Sequence, residues 1–120
     1  MRDWSRDLTS ALKNGGITYE KRVSITGIKI SREAALVACP CELESALGGD
    51  IVKSKSPFNY TIIAGYSNGY IGYVISPALS RKAHYELGES YRFHDLLPLS
   101  NDSADKIVNA MLSVLNELTQ

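Results

Sequence analysis

The residues of this chain best suited to chemistry begin with two cysteines that flank a proline. Cys39 and Cys41 are separated by Pro40, and Glu42 follows directly. Paired cysteines suggest a metal or redox role. However, zinc sites typically use four ligands at wider spacings, and redox pairs usually have two residues between their cysteines. We therefore interpret Cys39 as a small residue of the core.

Two histidines, His84 and His94, are the other classical candidates. Imidazole titrates near neutral pH and binds metals, so either residue could act as a general base or a ligand. The alternative, which we favour, is that both are surface or loop histidines with ordinary hydrogen bonds.

A tyrosine-rich run from Tyr66 to Tyr73 contains two glycines and an Asn-Gly pair. One interpretation is an aromatic hairpin stabilised by cross-strand side-chain pairs. The other is a segment whose glycines allow a backbone or ligand to approach closely. Glu42 has two interpretations as well, either a carboxylate near the positive end of a helix dipole or a site residue. Periodicity does not decide between these alternatives.

These residues must be positioned by a sheet with helices packed on it, because helical and alternating patterns are interspersed along the chain. A stretch of almost continuous apolar residues, Ala34 to Ala38, predicts a strand buried on both faces and joined to the preceding strand by a hairpin. In chain order, the patterns predict a helix within 1–16, strands over 23–30 and 34–38, a helix over 42–55, strands over 60–66 and 70–75, a short helix over 77–85, and a final helix capped by Asp102 or Ser103. We expect an α/β or α+β fold, with residues 1–120 forming a single domain.

Composition excludes several function classes. The chain has 120 residues with 13 basic and 13 acidic side chains, so its net charge is zero. A general nucleic-acid binder needs an excess of basic residues, so we expect no nucleic acid as partner. No apolar run approaches the ~18 residues of a membrane span, and the first residues lack the apolar core of a signal peptide. As written, the chain is expected to be cytoplasmic, and its localisation is left open if an N-terminal part is missing.

The run from Ala64 to Val74 resembles a signature of the neutral/alkaline ceramidase-like hydrolases. In that family a segment of the form Gly-x-x-Asn-Gly-Tyr-x-Gly-Tyr follows a buried strand. The preceding run, Leu36 to Glu42, is similar to the family's apolar strand ending in Pro-Gly-Glu. The resemblance continues through Ser76-Pro77, His84-Tyr85-Glu86 and the final helix, and it covers residues 21–118 in the same order with compatible spacing.

The resemblance implies a zinc-dependent amide hydrolase that splits ceramide, or a related lipid amide, into a fatty acid and a sphingoid base. By position, Glu42 and Tyr73 match the family's zinc-binding glutamate and tyrosine. Tyr85 matches a tyrosine that hydrogen-bonds the oxyanion of the tetrahedral intermediate. These roles are chemically coherent, because zinc lowers the pKa of bound water to about 7 and a phenol can stabilise a developing oxyanion.

Two departures from the family pattern shape the expected function. The family's other two zinc ligands are histidines of an N-terminal portion that has no counterpart here, and Cys41 replaces a glycine beside the glutamate. We therefore expect the C-terminal part of a larger catalytic domain, inactive alone, whose zinc site is completed by a missing N-terminal half or a histidine-bearing partner chain. The alternatives are a non-catalytic module that forms homo-oligomers, and an independent metal enzyme that uses Cys41, Glu42 and a histidine.

Overall fold

The computed structural model describes residues 4–14, 20–76, 79, 90 and 99–120. Within them, a mixed three-stranded sheet carries helices packed against it, so the predicted α+β class is confirmed. The elements are α1 (Trp4–Lys13), β1 (Thr26–Lys29), β2 (Ala34–Ala38), β3 (Glu42–Leu43), a π-helix (Ala46–Lys53), β4 (Tyr60–Ala64), β5 (Tyr73–Val74) and α2 (Ser103–Glu117).

The main sheet has the strand order β1-β2-β4. The predicted hairpin is confirmed: β1 and β2 pair antiparallel, and the hydroxyl of Ser31 in their turn accepts hydrogen bonds from the N–H groups of Glu33 and Ala34. Strand β4 pairs parallel to β2, so the chain crosses over between them. This crossover contains β3 and the π-helix. Glu42 lies in β3 and therefore outside the main sheet.

Helix α2 covers one face of that sheet. Its apolar residues recur every three or four positions, as an amphipathic helix requires, and this stripe packs against β1, β2 and the π-helix. The stripe consists of Ala104, Ile107, Val108, Met111 and Leu115, all buried. Beneath it lie Ala35 and Val37 of β2, which are fully buried. The core therefore sits between α2, the π-helix and the inner face of the sheet.

The prediction that β2 is buried on both faces is wrong. Ala35 and Val37 are fully buried on the inner face, whereas on the other face Ala34 and Leu36 are only half-buried and Ala38, at the end of the strand, is buried. In register with Leu36, Ile28 of β1 is 54% exposed and Ile62 of β4 is 52% exposed. An apolar strand is compatible with burial on both faces. Burial of the second face also requires another element to pack on it, which the strand's own sequence does not reveal. We call this the outer face of the sheet, formed by Ile28, Ile30, Leu36, Tyr60 and Ile62.

The predicted helix over 42–55 begins later than expected. Glu42 and Leu43 form a strand, because the N–H groups of Glu42 and Glu44 donate to the carbonyls of Gly72 and Val74. Only from Ala46 does the chain become helical, and the helix is of the π type. The pairing strand lies thirty-one residues further along the chain, so local periodicity could not reveal it.

Two other predicted elements are shorter in the structure. The strand predicted over 70–75 is limited to Tyr73–Val74, and it pairs with β3 instead of forming a hairpin with β4. The helix predicted over 77–85 falls almost entirely outside the described residues. Within the described part of the chain, every helix falls short of the length and hydrophobicity that a membrane span requires.

Candidate metal half-site

The two predicted zinc ligands lie next to each other. Strand β3 pairs parallel to β5, and Glu42 is in register with Tyr73. Neighbouring strands are about 4.8 Å apart and in-register residues project from the same face, so the carboxylate and the phenol share one side of this small sheet. Both residues are half-buried. We call this pair the half-site, since its two oxygen ligands fit zinc but do not complete a site.

The segments that carry the half-site are held together by backbone hydrogen bonds. The N–H groups of Ser67, Ile71 and Tyr66 donate to the carbonyls of Cys39, Pro40 and Cys41, at 3.0, 2.8 and 3.0 Å respectively. In the opposite direction, Glu42 N–H donates to the Gly72 carbonyl at 3.0 Å. Residues 65–72, which we call the tyrosine loop, therefore bind the chain just before and at Glu42.

The tyrosine loop makes this contact because its backbone bends sharply. Tyr66 and Asn68 have φ values of 55° and 66°, and Gly69 and Gly72 are also in the positive-φ region. A side chain at Gly65 would place its Cβ 3.1 Å from the Cys41 carbonyl oxygen, which is closer than ordinary contact. Of the two interpretations of the tyrosine-rich run, the structure supports the close approach of another backbone.

Two side-chain hydrogen bonds fix the far side of the loop. Asn68 Nδ2 donates to Thr26 Oγ1 of β1 at 3.0 Å. The ammonium group of Lys21 donates to the Tyr70 carbonyl at 3.0 Å. The loop therefore spans from the half-site to the first strand of the main sheet.

The side chain of Tyr66 connects the loop to Glu42. A hydrogen bond to the Glu42 carboxylate, together with a smaller contribution from desolvation, raises the pKa of the Tyr66 phenol to about 12. The ring of Tyr66 stacks on that of Tyr70, with centroids 5.6 Å apart and planes inclined by 7°. The sequence placed Tyr66 at the end of a predicted strand and at the start of the tyrosine-rich run, but it gave no sign of an interaction with Glu42.

Both cysteines are free and fully buried. The thiol of Cys41 is hydrogen-bonded to the sulfur of Cys39, which lowers the pKa of Cys39 and, together with burial, raises that of Cys41. The burial agrees with our interpretation of Cys39 as a core residue. Cys41 lies in the same core, so its replacement of the family's glycine places its side chain among apolar residues.

The remaining ligands of a zinc ion are not found among the described residues. In those ranges, no three side chains of histidine, cysteine, aspartate or glutamate gather closely enough to hold a metal ion. Tyr85, His84 and His94 fall outside the described residues. The structure thus brings Glu42 and Tyr73 together and leaves the predicted role of Tyr85 as a prediction.

Comparisons of the chain with protein-family models, curated protein sequences and solved structures return no match. Assignment to the ceramidase-like family therefore rests on the resemblance of its residues and remains a proposal.

Proposed function

We propose that this chain is the C-terminal part of a neutral ceramidase-like, zinc-dependent amide hydrolase. It contributes Glu42 and Tyr73 to a zinc site that two histidines of a preceding segment or of a partner chain complete. One observation supports the proposal most strongly: two residues thirty-one positions apart, selected as ligands from the family resemblance alone, are in register on adjacent strands.

The proposed chemistry assigns separate tasks to the residues of this chain. Zinc, when bound, would supply a hydroxide nucleophile near neutral pH. Glu42 offers a carboxylate oxygen and Tyr73 a phenol oxygen, both of which are suitable ligands for this metal. Tyr85 is proposed to donate a hydrogen bond to the oxyanion that forms when the amide carbonyl is attacked. The substrate is N-acylsphingosine or a related lipid amide.

Two protein ligands are too few for a catalytic zinc, which usually has three plus water. The chain alone is therefore expected to be inactive. To test the proposed function, the full chain is mixed with a separately expressed N-terminal half of a ceramidase-like hydrolase, which carries the two histidines. The measurement is the release of fatty acid from N-acylsphingosine.

Activity is expected only in the mixture, and it should fall at least 100-fold in Glu42→Gln and Tyr73→Phe. The matched controls are Glu33→Gln and Tyr60→Phe, which change the same residue types in exposed positions away from the half-site. If the mixture is active and Glu42→Gln leaves that activity unchanged, the assignment of Glu42 is wrong.

A second candidate function, a non-catalytic module that forms oligomers, is supported by the outer face of the sheet. Ile28, Ile30, Tyr60 and Ile62 are each more than half exposed on neighbouring strands. Contiguous exposed apolar surface of this kind marks interaction sites. Under this alternative the purified chain has the solution mass of an oligomer, and Ile62→Lys reduces that mass whereas Asn109→Lys, on the exposed side of α2, does not.

A further inference from the structure

Strand β4 lies at one edge of the main sheet, and its hydrogen bonds show which of its backbone groups are used. Tyr60 N–H donates to the Glu33 carbonyl at 2.9 Å, and the Ala64 carbonyl accepts a bond from the residue after β2 at 2.9 Å. Because the bonding direction alternates along a strand, the N–H and C=O groups of Thr61 and Ile63 point away from β2. Among the described residues, no strand pairs with β4 on that side.

The free edge of β4 lacks the features that usually keep an exposed edge from pairing, such as lysine, proline and β-bulges. The strand reads Tyr-Thr-Ile-Ile-Ala, with neither a charge nor a proline. Its register with β2 is regular over its whole length, so it contains no bulge. By contrast, β1 at the opposite edge carries Lys29. The composition of β4 is therefore typical of a strand that has a neighbour on each side.

A second copy of β4 fits this edge in an antiparallel arrangement. A twofold axis through Ile62 and perpendicular to the sheet places Thr61 opposite Ile63 of the second copy, so the outward backbone groups of both residues meet as hydrogen-bonded pairs. Ile62 then lies opposite its own counterpart, and the large Tyr60 lies opposite the small Ala64. Because β4 has no charged side chain, this pairing sets no like charges opposite each other.

We propose that β4 is a dimerisation edge, through which two copies of this chain join their three-stranded sheets into one continuous sheet of six strands. The twofold symmetry closes the assembly, because the pairing uses the β4 edge of both copies. This contact differs from docking through the outer face of the sheet, since backbone N–H and C=O groups form it. It is also independent of the zinc chemistry proposed above.

The test removes an outward N–H group of β4 and leaves its bonds to β2 intact. Thr61→Pro does this, because an edge strand tolerates proline where the N–H group faces solvent. Thr61→Val is the matched control, since it loses the same hydroxyl, which donates to Ser56 Oγ at 2.6 Å, and keeps the N–H group. Ile28→Lys is a second control, which changes the outer face at the opposite edge of the sheet. The solution mass of the full chain is measured over a wide range of protein concentration.

The wild-type chain is expected to reach twice its single-chain mass of 13.2 kDa as the concentration rises. Thr61→Pro should weaken this dimer at least about tenfold, because two of its four backbone hydrogen bonds are lost. Thr61→Val and Ile28→Lys should dimerise as the wild type does. A wild-type chain that stays monomeric, or a dimer that Thr61→Pro leaves unchanged, overturns the proposal. A dimer that dissociates in Ile28→Lys forms through the outer face, which overturns it as well.

Hydrogen exchange of the wild-type chain gives a decisive result even where Thr61→Pro does not fold. The amide protons of Thr61 and Ile63 should exchange slowly at high protein concentration and lose this protection on dilution. The amide proton of Ile62, which is directed to β2, should be protected at both concentrations. Exchange of Thr61 and Ile63 that does not depend on concentration overturns the proposal.

Discussion

Glu42 and Tyr73 lie in register on two parallel strands that are each only two residues long. Such short strands do not hold themselves together. Their alignment depends on the tyrosine loop, whose N–H groups bind the carbonyls of Cys39, Pro40 and Cys41 in succession. The chemistry proposed for the half-site therefore depends on the backbone geometry of a loop as much as on the two side chains.

The contact between Tyr66 and Glu42 predicts an unusual phenol titration. Because the carboxylate accepts the hydroxyl's hydrogen bond and disfavours a second negative charge, the pKa of Tyr66 is raised to about 12. Ultraviolet titration should show Tyr66 titrating with this pKa, and in Glu42→Gln that value should fall toward the ordinary value of about 10. A titration curve that is the same in both proteins would contradict the contact.

The packing of α2 on the hairpin predicts that Gly27→Ala destabilises the fold. A Cβ at Gly27 would lie 2.5 Å from Val114 Cγ1 and 3.0 Å from Leu118 Cδ1, so these side chains at the end of α2 must move to admit it. Gly27→Ala should lower the free energy of unfolding by about 1–3 kcal/mol, as overpacked cores do. The measurement is urea unfolding followed by circular dichroism.

Gly49→Ala is the matched control for that prediction. No atom lies within 4 Å of the Cβ that it would add, and it removes a glycine from a helix. It should leave stability unchanged or raise it by up to about 1 kcal/mol. Equal destabilisation by Gly27→Ala and Gly49→Ala would show that α2 does not pack on β1 as described.

The start of α2 predicts an acid-sensitive contribution to stability. Lys106 Nζ lies 2.7 Å from Asp102 Oδ2, and this contact with that of Ser100 lowers the pKa of Asp102 from 3.8 to about 2. A depressed pKa stabilises the folded state above pH 3.8, and the contribution is lost as the pH falls from there through about 2. Asp102→Asn should therefore reduce the pH dependence of the free energy of unfolding in this window, measured by urea unfolding at a series of pH values.

Local patterns predicted the parts of the fold that are built from local contacts. The final helix and the hairpin of β1 and β2 were both predicted, because each is defined by residues close together in sequence. Strand β3 was missed because its partner is distant, and the uncovered outer face was missed because β2 is apolar on both sides. In both cases the structure depends on residues outside the segment itself: β3 needs a distant partner strand, and the outer face of β2 has no covering layer.

The half-site was predictable only in part for the same reason. The residue types of Glu42 and Tyr73 came from a family resemblance, and the structure adds that they are adjacent. The positive φ of Tyr66, and its effect on a residue twenty-four positions away, leave no periodic signal in the sequence. A tyrosine between Gly65 and an Asn-Gly pair is the single local hint that the chain bends there.

The central claim, that Glu42 and Tyr73 form half of a zinc site, is tested most directly by metal content. The full chain is mixed with the histidine-bearing half of a ceramidase-like hydrolase, the complex is purified, and zinc is measured per complex. We predict close to one equivalent, lost in Glu42→Gln and in Tyr73→Phe and retained in Glu33→Gln and Tyr60→Phe. One equivalent of zinc that survives both half-site substitutions would contradict the account.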